Sequence, residues 1–135
     1  MGLDAHYDES TNPMTVFMLP EAASVGMTED QAKKSGCKYK VGRFPLTANG
    51  KALILNGGEG LIKVILGEPY GEVLGVHITG PHASDLIQEA ALALRLEATA
   101  DELISTIHGH PTVSEAVREA VLAAEKRAIH MPNRK

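Results

Sequence analysis

Apolar residues recur along this chain at two spacings, and the change between them divides it into a strand-rich first part and a helical second part. Residues 61–66 and 72–79 are dense in Leu, Ile and Val. Between them, Gly67, Pro69 and Gly71 supply turn chemistry, so the pair is predicted to be a hairpin at the centre of an antiparallel sheet. In 37–44, Lys38 and Lys40 alternate with Tyr39 and Val41, which puts one face in water and one on a core. Cys37 opens this strand and is read as a packing residue. Residues 14–18 suit a first strand; Leu19-Pro20 interrupts it, and 21–26 resumes as a second piece. Thr28 to Gln31 fits a capping box and Gly36 a C-terminal stop, so a short helix is expected over 28–35.

After Gly80-Pro81-His82 the period changes. Leu86, Ile87, Ala90, Ala91 and Leu94 fall on one face of a helix over 84–96, with Asp85 and Glu89 on its polar side. Thr99 and Glu102 form another capping box, opening a short helix that ends before His108. A last helix is expected over 114–128. Its stripe of Ala116, Val117, Ala120, Val121 and Ala124 is small enough for close packing, in a core or against a partner.

Residues 47–51 read as a turn or one helical turn before a short apolar stretch at 52–55. Asn56-Gly57-Gly58-Glu59-Gly60 then reads as a flexible turn, because a phosphate-binding loop requires a strand before it and a helix after it. Together these elements predict an α+β fold, a mostly antiparallel sheet with helices packed on one side. Residues 11–128 form one domain in this reading, between a polar tail at 1–10 and a frayed tail at 129–135.

Composition narrows the function classes. The 135 residues are 44% hydrophobic and 22% charged, ordinary for a globular domain. Thirteen Lys+Arg against seventeen Asp+Glu leave a formal charge of −4, so no basic footprint for nucleic acid or an anionic membrane is expected. No apolar run has membrane-spanning length, and the first ten residues lack a signal-peptide pattern. With Cys37 the only cysteine, there is no intramolecular disulfide framework, and a reducing compartment is expected.

The candidate chemistry lies in Ile107-His108-Gly109-His110-Pro111-Thr112-Val113-Ser114-Glu115. An imidazole exchanges protons near neutral pH, and a nearby carboxylate can fix its tautomer and stabilise its protonated form. Pro111 biases His110 away from helical geometry, placing His110 in a loop and Glu115 in the first turn of the last helix. His110 and Glu115 are therefore the candidate acid-base pair. A competing reading makes Glu115 only the N3 member of a capping box with Thr112, and spacing alone favours the cap. A single carboxylate is not expected to serve both roles fully.

Three stretches carry a family resemblance: residues 23–29, residues 74–84 (Leu-Gly-Val-His-Ile-Thr-Gly-Pro-His-Ala-Ser) and above all residues 106–115 (Thr-Ile-His-Gly-His-Pro-Thr-Val-Ser-Glu). Over about residues 11–128 the chain resembles the C-terminal dimerisation domain of the pyridine nucleotide-disulfide oxidoreductases, especially their dihydrolipoamide dehydrogenase branch. It departs from that pattern at Met18-Leu19, where small or polar residues are usual, and at Gly109, where Ala is usual. Neither departure touches the pair.

The resemblance implies a homodimer with a composite active site. His110 would be the acid-base partner of a redox-active cysteine pair on the other subunit, and Glu115 would orient it. The backbone at His110 and Pro111 would approach that subunit's FAD, while His108 would be a structural neighbour. NAD as second cofactor, lipoyl domains of 2-oxo acid dehydrogenase complexes as partners, and a bacterial cytoplasm or mitochondrial matrix as location are implied in the same way. The chain has no G-x-G-x-x-G after a strand and no cysteine pair, so alone it is expected to bind no FAD and to be catalytically incomplete. Two rivals stand beside this reading: a non-catalytic association module, and a metal site built from His108 and His110 with His82 or His77.

Overall fold

The structure, a computed structural model, describes residues 2 and 7–133; the rest of the expected tails, at 1, 3–6 and 134–135, lies outside the described residues. Five strands, β1 (Met14–Val16), β2 (Glu21–Gly26), β3 (Tyr39–Pro45), β4 (Leu61–Gly67) and β5 (Val73–Gly80), form one sheet in the order β1-β2-β5-β4-β3. Every neighbouring pair is antiparallel. As predicted, the β4–β5 hairpin is central. Five helices accompany the sheet: α1 (Glu29–Ser35), α2 (Gly50–Asn56), α3 (Ala83–Arg95), α4 (Ala100–Ser105) and α5 (Glu115–Ala124). The fold is α+β.

The long helices share one face of the sheet, α3 over β2 and β5 and α5 over β3 and β4. Alternation in the strands sends Ile62, Val64, Leu66, Val76 and Ile78 to that face, where they meet Ile87 and Ala90 of α3 and Val117 and Val121 of α5. On the opposite face, Glu29 at the start of α1 pairs with both Arg43 and Lys63.

The small-residue stripe of α5 is used inside the domain. Ala116, Val117, Ala120, Val121 and Ala124 are all buried in the core, so the stripe packs on the chain's own sheet and gives no argument for a partner. The close approach is set at Gly42 of β3, where an added Cβ would fall 1.8 Å from the Ala120 carbonyl oxygen. Backbone cannot yield there as a flexible side chain would. Gly42→Ala is accordingly expected to destabilise the fold by about 3 kcal/mol, read as a lowered denaturant midpoint.

Several expected boundaries shift, each for a local reason. The helix predicted over 114–128 ends at Ala124, because Lys126 turns into the left-handed region at φ 57°. Residues 128–133 are not frayed. The Ala128 N–H donates to Asn133 Oδ1, and the Ile129 and His130 N–H groups donate to Glu119 Oε2. Residues 50–56, expected as part of a turn and a short apolar stretch, form helix α2, capped by Asn49 and stopped by Gly57 in the left-handed region. The first strand stops at Val16, leaving Phe17 and Leu19 exposed. Cys37, expected to pack, is exposed and precedes β3. By contrast, the capping boxes at Thr28/Gln31 and Thr99/Glu102 form as read, and Gly36 ends α1.

Candidate functional site

The loop between α4 and α5 carries both histidines. His110 Nδ1 lies 3.0 Å from Glu115 Oε1, and because an ionised carboxylate only accepts, Nδ1 carries the proton in the neutral ring. Nε2 is then the free basic nitrogen. The ring is 82% exposed while the Glu115 side chain is only 26% exposed, so the pair presents a reactive edge backed by a sheltered carboxylate.

Glu115 makes both contacts that the sequence set against each other, one to His110 and one to Thr112. Its second oxygen, Oε2, accepts the Thr112 N–H at 2.9 Å, which is the backward half of a capping box. The forward half is absent. Thr112 Oγ1 donates instead to the Gly109 carbonyl at 2.6 Å, folding the loop on itself, and Ser114 precedes the helix without a side-chain cap. Burial pushes the Glu115 carboxyl up, but the Thr112 N–H, the His110 ring and the charge of His130 together hold it below the ordinary 4.5. It therefore stays ionised near neutral pH.

Two further anchors fix the loop, and sequence reasoning missed both. Asn49, buried at the cap of α2, donates from Nδ2 to the Thr112 carbonyl at 3.0 Å. His108 turns inward and its Nε2 meets Glu89 Oε1 at 2.8 Å, with 7% of its side chain exposed. The Glu89 carboxylate raises His108 above its ordinary 6.5 against the opposing effect of burial. Glu89 had been read only as polar-face residue of α3. Its partner lies 19 residues away, beyond any helical spacing that could have revealed the pair.

Below the loop lies a cavity of about 220 Å³, lined by His108, Glu115, Arg118, Glu119 and His130 among others. Arg118 Nε donates to the Ile104 carbonyl at 2.7 Å, tying α5 to the end of α4. The metal-site rival is not supported by the placement of its residues. His77 Nε2 contacts the Met27 carbonyl and His82 sits beside Asp85, and no three His, Cys, Asp or Glu side chains converge among the described residues.

Around the His110–Glu115 pair the loop forms an open rim. Ile107 is 96% exposed, His110 is nearly as open, and Gly109 has only the Thr112 methyl within 4 Å of where a Cβ would stand. Among the described residues, no helix is long and apolar enough to cross a membrane.

Comparison with known proteins identifies the family. The family model "Pyridine nucleotide-disulphide oxidoreductase, dimerisation domain" matches residues 12–121. Dihydrolipoyl dehydrogenase of Bacillus subtilis is 48% identical over 130 residues, which is 96% of this chain and 27% of that protein. The mitochondrial dihydrolipoyl dehydrogenase of Pisum sativum is 43% identical, over 96% of this chain and 26% of its own length. The crystal structure of LpdA from Mycobacterium tuberculosis superposes with a TM-score of 0.82 at 28% identity, covering 87% of this chain and 26% of that one. The chain thus spans about a quarter of the length of the curated relatives it matches. Matched over residues 12–121 and nearly half identical to a dihydrolipoyl dehydrogenase, the chain belongs to the pyridine nucleotide-disulphide oxidoreductase dimerisation-domain family.

Proposed function

We propose that this domain completes the active site of a dihydrolipoyl dehydrogenase-like enzyme across a two-fold interface, with His110 as acid-base group and Glu115 as its orienter. The observation that carries this reading is the His110–Glu115 contact at the exposed edge of an otherwise anchored loop. Oxidising a dithiol requires removing a thiol proton to release the thiolate nucleophile. Nε2 of His110 takes that proton, and the resulting imidazolium is stabilised by Glu115 through Nδ1–H. In the reverse direction the same nitrogen returns it.

In this reading the cysteine pair that exchanges with the substrate is supplied by the partner subunit, as the family resemblance implies, and Cys37 takes no part in the exchange. FAD, when bound, would supply the two-electron acceptor chemistry, with NAD as the second cofactor, and the backbone of His110 and Pro111 would face the flavin. Lipoyl domains of 2-oxo acid dehydrogenase complexes are the protein partners of this reading, and a bacterial cytoplasm or mitochondrial matrix is its location. The isolated chain binds no FAD and turns nothing over. His110→Gln in the full-length flavoenzyme is the direct test, argued in the Discussion.

Self-association is the second part of the proposal. Phe17, Leu19, Ile54, Leu96 and Ile107 are exposed apolar side chains that a second copy of the chain could cover. The chain is expected to sediment as a homodimer at high concentration and to dissociate on dilution, because the other domains of the full enzyme contribute area to the interface. Light scattering that finds only monomer at high concentration would count against it.

A further inference from the structure

We propose that His108, held by Glu89, is a positioning residue for His110, acting by fixing the loop that carries it. This inference rests on the acid-base reading of His110 given above. His110 touches the rest of the domain through one side-chain bond, to Glu115. A single bond at an exposed ring does not define where Nε2 points unless the backbone beneath it is held. On the C-terminal side that backbone is held three times, by the Thr112 N–H on Glu115, the Thr112 hydroxyl on the Gly109 carbonyl and Asn49 on the Thr112 carbonyl. On the N-terminal side the side-chain anchor is His108 on Glu89. Glu89 lies in the middle of α3, a helix whose Ile87 and Ala90 are buried against the sheet, so the anchor is rigid. The intervening Gly109 brings no side chain to restrain the turn and its carbonyl is tied only within the loop, to Thr112, so His108 is the last residue before His110 that is anchored to another element.

The chemistry of the contact suits a clamp more than a proton-transfer group. The His108 ring is buried, away from the exposed rim where substrate must enter. Its Nδ1 is buried with no aligned hydrogen-bond partner, and the Thr106 backbone is close enough to favour the protonated ring. The charged groups around it are Glu89 from α3 and, from α5 and beyond, Arg118, Glu115, Glu119 and His130 across the cavity. Glu89 dominates this set and favours imidazolium, while Arg118 opposes it. The clamp is therefore strongest as an ion pair. Its charge is present below the raised value of His108 and is lost as pH rises through it.

The test uses the full-length, flavin-loaded dimer and a single- and double-variant cycle. His108→Ala and Glu89→Ala are each expected to lower kcat for dithiol oxidation by about tenfold or more with little change in KM, as displacement of a base by a fraction of an ångström does. Combined with His110→Gln, either change is expected to cost nothing further, because the residue it positions is gone. If the alanine variants do not assemble, Glu89→Gln carries the test: it keeps the shape and an acceptor but removes the charge. The kcat ratio of wild type to Glu89→Gln is then expected to exceed one at low pH and to shrink as pH rises through the His108 value. Full kcat in the alanine variants, equal losses with and without His110, or a pH-independent ratio would each overturn the inference. If His110→Gln itself leaves dithiol oxidation intact, the acid-base reading fails first, and that outcome is separate from the others.

Discussion

Replacing His110 by glutamine in the full-length flavoenzyme is expected to slow dithiol oxidation by about a hundredfold or more, the range for losing a positioned general base. Glutamine can hold a hydrogen bond to Glu115, so the loop should keep its path. Its amide cannot accept a proton near neutral pH, and that is the function lost. Because the His110 side chain is 82% exposed, its removal opens no cavity in the core, and melting temperature and flavin content should stay unchanged. The rate should be measured per flavin-loaded dimer in a rapid-mixing experiment with reduced lipoamide. Full turnover would mean that the pair at the rim is structural and that this domain serves association alone.

Changes at Glu115 are expected to lose rate and stability together, since its two oxygens do different work. Glu115→Ala removes the acceptor of the Thr112 N–H as well as the partner of His110. The first loss should cost about 1 kcal/mol of stability, the usual worth of a helix N-terminal cap. The second should lower kcat by about tenfold, less than loss of the base itself, because an unoriented imidazole still takes up protons. Glu115→Gln is the sharper experiment: the two contacts are made by different terminal atoms of Glu115, and in glutamine one of those atoms becomes an NH2 donor, so in that pose it accepts from Thr112 or from His110 but not from both. One of the two effects should persist in that variant while the other is largely rescued. With the folded carboxyl held below its ordinary 4.5, the stability difference between wild type and Glu115→Ala is present above that value. It should vanish as pH falls through the depressed one. A Glu115→Ala variant with unchanged melting and unchanged kcat would refute both halves.

Features decided within four or five residues were legible in the sequence. The boxes at Thr28 and Thr99, the stop at Gly36 and the β4–β5 hairpin depend on neighbours along the chain, and so does the reach from His110 to Glu115. What was not legible depends on docking. Nothing near Glu89 in sequence marks it as the partner of His108, and nothing near Asn49 marks it as a support for the loop. The end of α5 was overrun because a lysine, without glycine's ease there, adopts the left-handed turn. The α5 stripe was ambiguous for a similar reason: small residues announce close packing, but only the position of β3 decides against what. The either-or reading of Glu115 erred in treating a carboxylate as one acceptor when it has two oxygens.

The bond from Asn49 to Thr112 joins residues 63 positions apart, which bears on when the loop takes its shape during folding. The Thr112 carbonyl finds its donor only after the sheet half of the chain and the helical half have come together, at the full entropic cost of closing that long loop. Local contacts such as the hairpin and the capped helices can form earlier, with His110 still unsupported. The fixed geometry of the His110 loop should therefore lag behind secondary structure on refolding, and formation of the Asn49–Thr112 contact would report completed tertiary assembly.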